Sequence, residues 1–219
     1  MSSFYDYDRF RGFLFELESA LCSVAAKDCE GLQKDCQLSA VIFNFLRATS
    51  LFRAALSLLE SGLMDASDGV RRACWEALML GYELRLKESQ SHAARWHYEK
   101  NKHSDIDLSA IKSFEKSNGL PSSKYGSDYG GLSEVTHPTK AAAENSFVTV
   151  TALHGNPASK ANLEMARQVM IHEDAPGIMY FLIWAIVVKS VDMIDLGIVP
   201  DSIPKAWGFY HDYENQETT

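Results

Sequence analysis

The feature that most constrains the fold is segment 65–86, which has apolar residues on two sides of a predicted helix. One stripe recurs at helical spacing and comprises Val70, Ala73, Cys74, Ala77, Leu78 and Leu84. A second stripe comprises Trp75, Met79, Tyr82 and Leu86. A helix that is apolar on two sides has to lie between other helices, because neither side can face water. The pattern therefore predicts an all-α, multi-helix bundle.

The preceding segment, 38–59, has the same period and predicts the partner of this helix. Its apolar residues are Leu38, Val41, Ile42, Phe45, Phe52, Leu56 and Leu59. Gly62 stands where a helix should end, and Asp65 is a candidate cap for the next one. The two segments predict a long αα-hairpin with arms of about 35 Å at 1.5 Å per residue.

The rest of the chain predicts further helices within a single domain, 1–219. Segment 117–131 has four glycines and one proline and is expected to be a flexible loop, and 205–219 a loose tail. Residues 144–154 fit a helix or a strand. We favour a helix, because a lone strand would have no partner.

Charge and targeting signals narrow the possible classes of function. The net charge is −8, which argues against a broad nucleic-acid footprint but not against one local basic cleft. The apolar run 176–188 is too short for a bilayer, which needs about 20 residues, so we expect a core helix and no membrane partner. The N-terminus has no apolar signal region, and the four cysteines form no CxxC. We therefore expect a cytoplasmic protein with reduced cysteines.

Two groups of polar residues are candidates for a ligand-binding site. Arg72 and Glu76 are four residues apart on the two-sided helix and can form an ion pair along one face. Tyr129, Ser133 and His137 follow one another at intervals of four, directly after the glycine-rich loop. Both groups also have a plain structural interpretation, as a pair that ties helices together and as side chains that satisfy helix ends.

Several enzyme classes are disfavoured by what the motifs lack. Ser133 stands in no Gly-x-Ser-x-Gly turn, which disfavours a serine hydrolase. Glu134-x-x-His137 is half of a di-iron motif, and the sequence has no second Glu-x-x-His. His92, Glu99 and His103 share a helix face but span three turns, too far to bind one ion. We predict no metal and no cofactor.

Two stretches resemble bacterial helical-bundle proteins of the HEPN-like type. They are 51–84, with its R-x-x-x-E at Arg72 and Glu76, and 129–138, which reads Y-x-x-x-S-x-x-x-H-P. The resemblance covers about a third of the chain. It implies an all-α bundle that is often a homodimer, found for some relatives in toxin or phage-defence systems with metal-independent RNase activity.

Active HEPN-like RNases share an R-x(4–6)-H motif whose two residues act at a dimer cleft. This sequence has two matches, Arg85 to His92 and Arg167 to His172. The second is the better one, because Gln168 supplies the polar second position common in that motif. The resemblance thus implies Arg167 and His172 as candidate catalytic residues.

Three functions stay open at this point. The first is a bundle that binds a nucleotide, a small ligand or a protein partner through Arg72, Glu76, Tyr129, Ser133 and His137. The second is a metal-independent RNase, with Arg167 holding the phosphate and His172 transferring a proton. The third is a structural adapter, in which the same polar groups only fix the helices relative to one another.

Overall fold

The computed structural model describes residues 7–27, 35–98 and 140–217, with the isolated residues 109, 112, 113 and 116. Its elements are α1 (Tyr7–Lys27), α2 (Cys36–Glu60), α3 (Met64–Arg85), a 3₁₀ turn (Lys87–Ser89), α4 (Gln90–Tyr98), α5 (Lys140–Leu153), α6 (Pro157–Val169), a π-turn (Met170–Asp174), α7 (Ala175–Val187), a second 3₁₀ turn (Pro200–Ser202) and α8 (Pro204–Glu217). The only β-type pairing within these residues is an isolated bridge between Leu86 and Met193. The all-α bundle is confirmed, and 144–153 is helical as expected.

The α2–α3 hairpin is the centre of the bundle, and its two helices pack along their whole length. The side chain of Asp35 caps α2 by accepting hydrogen bonds from the amides of Gln37 and Leu38. Gly62 lies in the turn with φ +80°, a conformation that favours glycine. The expected cap for α3 is wrong: Leu63 occupies the cap position without a side-chain hydrogen bond, and Asp65 lies within the first turn.

Helix α3 is buried along its second half, as its two apolar stripes predict. Residues from both stripes are almost fully buried, among them Cys74, Trp75, Leu78, Met79, Tyr82 and Leu84. Helices α2 and α7 cover it from two directions, and α5 packs on its first half. A two-sided apolar helix is therefore enclosed in the bundle rather than exposed on its surface.

Helices α6 and α7 form one continuous rod from Pro157 to Val187, joined by the π-turn. The sequence predicts that a new helix opens at Glu173 or Asp174, because Pro176 suits a first helical turn. In the structure the amide of Ala175 bonds to the carbonyl of Met170, five residues back. This wider turn moves the backbone away from the proline ring, which in an α-helix would clash with the carbonyl of His172.

The C-terminal segment packs where a loose tail was expected. Over its described part, 205–217 belongs to α8, which lies against α1 and α7. Phe209 is 1% exposed and lies against Phe13, with ring centroids 4.9 Å apart. Apolar burial of this kind outweighs the entropy that would otherwise keep a chain end loose. The loop 117–131 lies outside the described residues.

Arg85 fastens the segment between α7 and α8 to the end of α3. Its side chain is 1% exposed, and its Nη1 donates to the carbonyl of Ala185 at 2.6 Å, while its Nε donates to that of Ile194 at 3.2 Å. The amide of Ile194 in turn donates to the carbonyl of Arg85. Burial lowers the pKa of Arg85 to about 10, so the guanidinium is still charged at neutral pH.

Within the part of the chain that the structure describes, two segments are long and apolar enough to cross a membrane by length and composition, Cys36–Glu60 and Pro157–Val187. Both supply side chains to the core, and α7 is buried nearly all round. Core helices of folded domains meet the same criterion, so this observation does not decide between a membrane and water.

Candidate functional site

The predicted pair on α3 is present. Arg72 Nε lies 3.3 Å from Glu76 Oε1, and both side chains are partly exposed, by 23% and 44%. The pair is therefore in contact with solvent on the flank of the hairpin. Its proposed companions Tyr129, Ser133 and His137 lie outside the described residues.

Arg167 lies on α6 and is held in place by the first helix. Its Nε donates to the hydroxyl of Tyr7 at 3.1 Å, and its guanidinium carbon lies 5.6 Å from the centre of the Tyr7 ring. Its Nη1 lies 3.4 Å from Glu164 Oε2. The hydrogen bond that Arg167 donates to Tyr7 raises the pKa of Arg167 above its ordinary value, against a smaller opposing effect of burial. The side chain is thus both charged and restricted in its rotamers.

Arg167 lines an open groove of about 420 Å³ between the α2–α3 turn and the α5–α6 hairpin. The turn contributes Glu60, Ser61 and Gly62, and Gly62 lies beside Leu163. The opposite wall consists of Ala152, Leu153, Leu163 and the charged residues of α6. The volume is in the range of small-molecule sites.

The carboxylates of this groove are partnered, and two of its positively charged side chains can still contact a ligand. Glu60 forms an ion pair with Arg11 of α1, and Glu164 accepts hydrogen bonds from Arg167 and Gln168. Lys160 lines the groove and forms no ion pair with any described residue. Within the same part of the chain, nothing accepts a hydrogen bond from Arg167 Nη2. An anion in the groove could therefore contact two nitrogen groups.

His172, the predicted partner of Arg167, is placed differently. It lies in the π-turn, exposed to solvent, and its Nε2 lies 3.1 Å from Gln168 Oε1. It is not among the described residues that line the groove. The structure therefore does not bring His172 into the groove that Arg167 lines.

The other Arg–His match has a structural role on both sides. Arg85 is the buried clasp described above, and His92 Nδ1 lies 2.6 Å from the buried carboxylate of Glu83. Both side chains are used to join elements of the bundle. This match does not offer an arginine for phosphate binding.

Sequence reasoning missed a buried ionic cluster where α3, α5 and the π-turn meet. Arg71 contacts Asp68 on its own helix at 3.1 Å and Asp174 of the π-turn at 3.0 Å. Asp68 Oδ1 and Arg71 Nε are buried and make no well-directed hydrogen bond to the described residues. Burial raises the pKa of Asp68, although the Arg71 charge offsets part of this effect.

Asp65 belongs to the same cluster, and its pKa is shifted in the opposite direction from that of Asp68. Its Oδ1 accepts a hydrogen bond from the Thr149 hydroxyl at 2.5 Å. Burial acts to raise the pKa of Asp65, but the hydrogen bonds from Thr149 and Ser146 outweigh it, so the pKa is lowered. The described residues contain no group of three or more His, Cys, Asp or Glu side chains that could hold a metal ion.

Comparison with known proteins gives no relative for this chain. No protein-family model, no curated protein and no solved structure matches it.

Proposed function

We propose that the protein is a ligand-binding helical bundle whose ligand is a small phosphate-bearing molecule of the nucleotide class. The phosphate binds in the groove between the α2–α3 turn and the α5–α6 hairpin. The observation that carries the proposal is Arg167, which is held by Tyr7 while it lines this groove. An arginine fixed before the ligand arrives loses less rotamer entropy on binding.

The groove offers both parts of such a ligand a matching surface. Lys160 and the Nη2 group of Arg167 supply charge-assisted hydrogen bonds to phosphate oxygens. Ala152, Leu153 and Leu163 supply an apolar wall for a base or another uncharged ring. Because the whole chain carries a charge of −8, binding depends on these local cations and weakens with added salt.

The position of His172 favours binding over RNA cleavage. An RNase of the Arg/His type needs a proton-transferring histidine within hydrogen-bond reach of the phosphate held by the arginine. His172 is bonded to Gln168 outside the groove lining. The resemblance to HEPN-like proteins supports a nucleotide as ligand, and the homodimer and the toxin or phage-defence context belong to the same proposal.

Calorimetric titration with ATP, AMP, adenosine and inorganic phosphate tests the proposal. We expect ATP and AMP to bind and adenosine, which lacks a phosphate, to bind far more weakly. Arg167→Ala should weaken ATP binding by at least about tenfold, equivalent to about 1.4 kcal/mol. Arg53→Ala is the matched control, because Arg53 lies about two helical turns before Glu60, pairs with Glu18 of α1 and lines no part of the groove.

Two results would contradict the proposal. One is the absence of binding for all phosphate-bearing probes, and the other is equal ATP affinity in the wild type and Arg167→Ala. Incubation with single-stranded RNA, alongside His172→Ala and His137→Ala, tests the RNase alternative separately. Cleavage lost in either variant would establish an enzyme in place of a binding protein.

A further inference from the structure

A second groove, of about 570 Å³, lies between α1 and the segment 195–202. Its apolar lining includes Ala20, Val24, Leu38, Leu196 and Ile198. Phe15 also lines it, with 64% of its surface exposed. Along α1 the lining runs from Phe15 to Lys27, a length of about 18 Å at 1.5 Å per residue. The groove is therefore long, and apolar side chains line it along its length.

The acidic groups of this groove are already used by the protein. Glu16 Oε2 accepts hydrogen bonds from the amides of Lys205 and Ala206 and so caps the start of α8. Asp195 accepts from Lys189 Nζ and from the amide of Gly197, both at 2.8 Å. These contacts neutralise or satisfy both carboxylates, which leaves them little capacity to attract a cation.

Among the charged residues described in the lining of this groove, Lys27 is the one that keeps its charge available. It lies at the C-terminal end of α1 and forms no ion pair or hydrogen bond with any described residue. The hydroxyls of Ser23 and Ser202 donate to backbone carbonyls, so their oxygens remain acceptors. The groove thus combines an apolar length with one cation at one end.

Both ends of the groove are fastened to the bundle. At one end Glu16 joins α1 to α8, and at the other the Arg85 clasp holds Ile194 next to Asp195. Leu196 and Ile198 between them are buried, with 3% and 4% of their surface exposed. A groove with such fixed walls is formed before any ligand binds, which lowers the entropic cost of binding.

We propose that this groove binds a single-chain amphipathic carboxylate, a molecule of the fatty-acid class. Its hydrocarbon chain lies along Ala20, Val24, Leu196 and Ile198, and its carboxylate pairs with Lys27. An extended peptide fits less well, because one wall is α1, whose backbone groups are bonded within the helix and cannot extend a β-ladder. A nucleotide fits less well, because the described residues that line the groove include one available cation.

Three probes of equal chain length separate the contributions of chain and charge. Dodecanoate, dodecanol and dodecyltrimethylammonium are titrated below their micelle-forming concentrations and followed by calorimetry. We expect dodecanoate to bind best, dodecanol more weakly and the cation most weakly. Lys27→Gln should lower dodecanoate affinity by about tenfold and leave dodecanol affinity unchanged, and Lys27→Arg should restore most of the loss.

Ala20→Trp tests the location of the chain, because a large side chain at this position fills the groove. It should abolish binding of dodecanoate and dodecanol, whereas Ala26→Trp, exposed on the same helix outside the groove lining, should not. Circular dichroism melts show whether each variant is folded. Equal affinity for the three probes, or wild-type dodecanoate binding in folded Lys27→Gln and Ala20→Trp, would overturn the proposal.

Discussion

The Nε atom of Arg167 lies 3.1 Å from the hydroxyl of Tyr7, a residue 160 positions earlier in the chain. This bond connects the first helix to α6, and the tyrosine ring also lies beneath the guanidinium. Tyr7 therefore makes both of these contacts with the Arg167 side chain. Helix α1 therefore belongs to the candidate site, although none of its residues was singled out as a site residue from the sequence.

Tyr7→Phe separates the two contacts. The variant loses the hydroxyl bond but keeps the ring, and we expect ATP affinity to fall about threefold, as for a hydrogen bond of about 0.5–1.5 kcal/mol. Tyr7→Ala removes both contacts and should cost about tenfold. Tyr98→Phe is the control, because Tyr98 bonds with Cys36 far from this groove. Unchanged affinity in Tyr7→Ala would show that Arg167 needs no positioning.

Glu16→Ala should destabilise the fold through the loss of the cap on α8. The carboxylate accepts from two amides in the first turn of α8, where the helix dipole favours negative charge. We expect a loss of about 1–2 kcal/mol in the free energy of unfolding, measured by urea denaturation, and a smaller loss for Glu16→Gln. Glu144→Ala removes an exposed ion pair with Lys140 and should change stability by less than about 0.5 kcal/mol.

Thiol labelling should distinguish the cysteines by burial. Cys74 is buried, its Sγ donates to the carbonyl of Ala48, and burial raises its pKa to about 12. It should stay unlabelled by iodoacetamide in the native protein and react only after unfolding. Cys22 is exposed and should be labelled in the native state. Mass spectrometry of the peptides measures both, and native labelling of Cys74 would contradict its burial.

Asp68→Asn should change how stability depends on pH. The folded-state pKa of Asp68 is raised above 3.8, so its contribution is fully present below that value and is lost as pH rises through the folded-state pKa. As pH rises from about 4 to about 7, the wild type should therefore lose stability relative to Asp68→Asn. Urea denaturation at both pH values measures the shift.

Asp65→Asn is the matched control and should show the opposite dependence. The pKa of Asp65 is lowered below 3.8, so its stabilising contribution is present above that value and is lost as pH falls through the folded-state pKa. The variant should lose least, relative to the wild type, in the most acidic samples. If the stability difference from the wild type changed with pH in the same direction for both variants, it would contradict the conclusion that burial dominates at Asp68 and hydrogen bonding at Asp65.

The hairpin and the core could be predicted because they depend on local periodicity. Apolar residues at a spacing of 3.6 identify which face of α2 and of α3 is buried, whatever the partner. The π-turn could not be predicted, because Pro176 also fits the start of a helix and only the surrounding packing decides between the two. The sequence predicts a loose C-terminal segment because its aromatic residues pack on distant parts of the chain, Phe209 on Phe13 and Tyr210 on Tyr180.

The candidate site was predicted in part, because some of its residues follow from local spacing and others depend on long-range packing. Arg167 and the Arg72–Glu76 pair follow from short spacings. The contact of Arg167 with Tyr7 and the burial of Asp68 depend on elements far apart in the chain. Nothing in the local sequence distinguishes Asp68, which is buried, from Glu60, which is exposed. A short motif therefore identifies which side chain could act, and tertiary packing decides which groove it lines.

The π-turn has a consequence for the length of the chain. A turn that closes five residues back contains one residue more than an α-helix needs to join the same two flanks. Deleting one position between Met170 and Asp174 would leave α6 and α7 on their present faces but bring the Pro176 ring against the carbonyl four residues back, whereas a deletion elsewhere in α7 would rotate its buried face by about 100°. The long C-terminal rod should therefore accept a deletion in this stretch only when Pro176 is replaced as well.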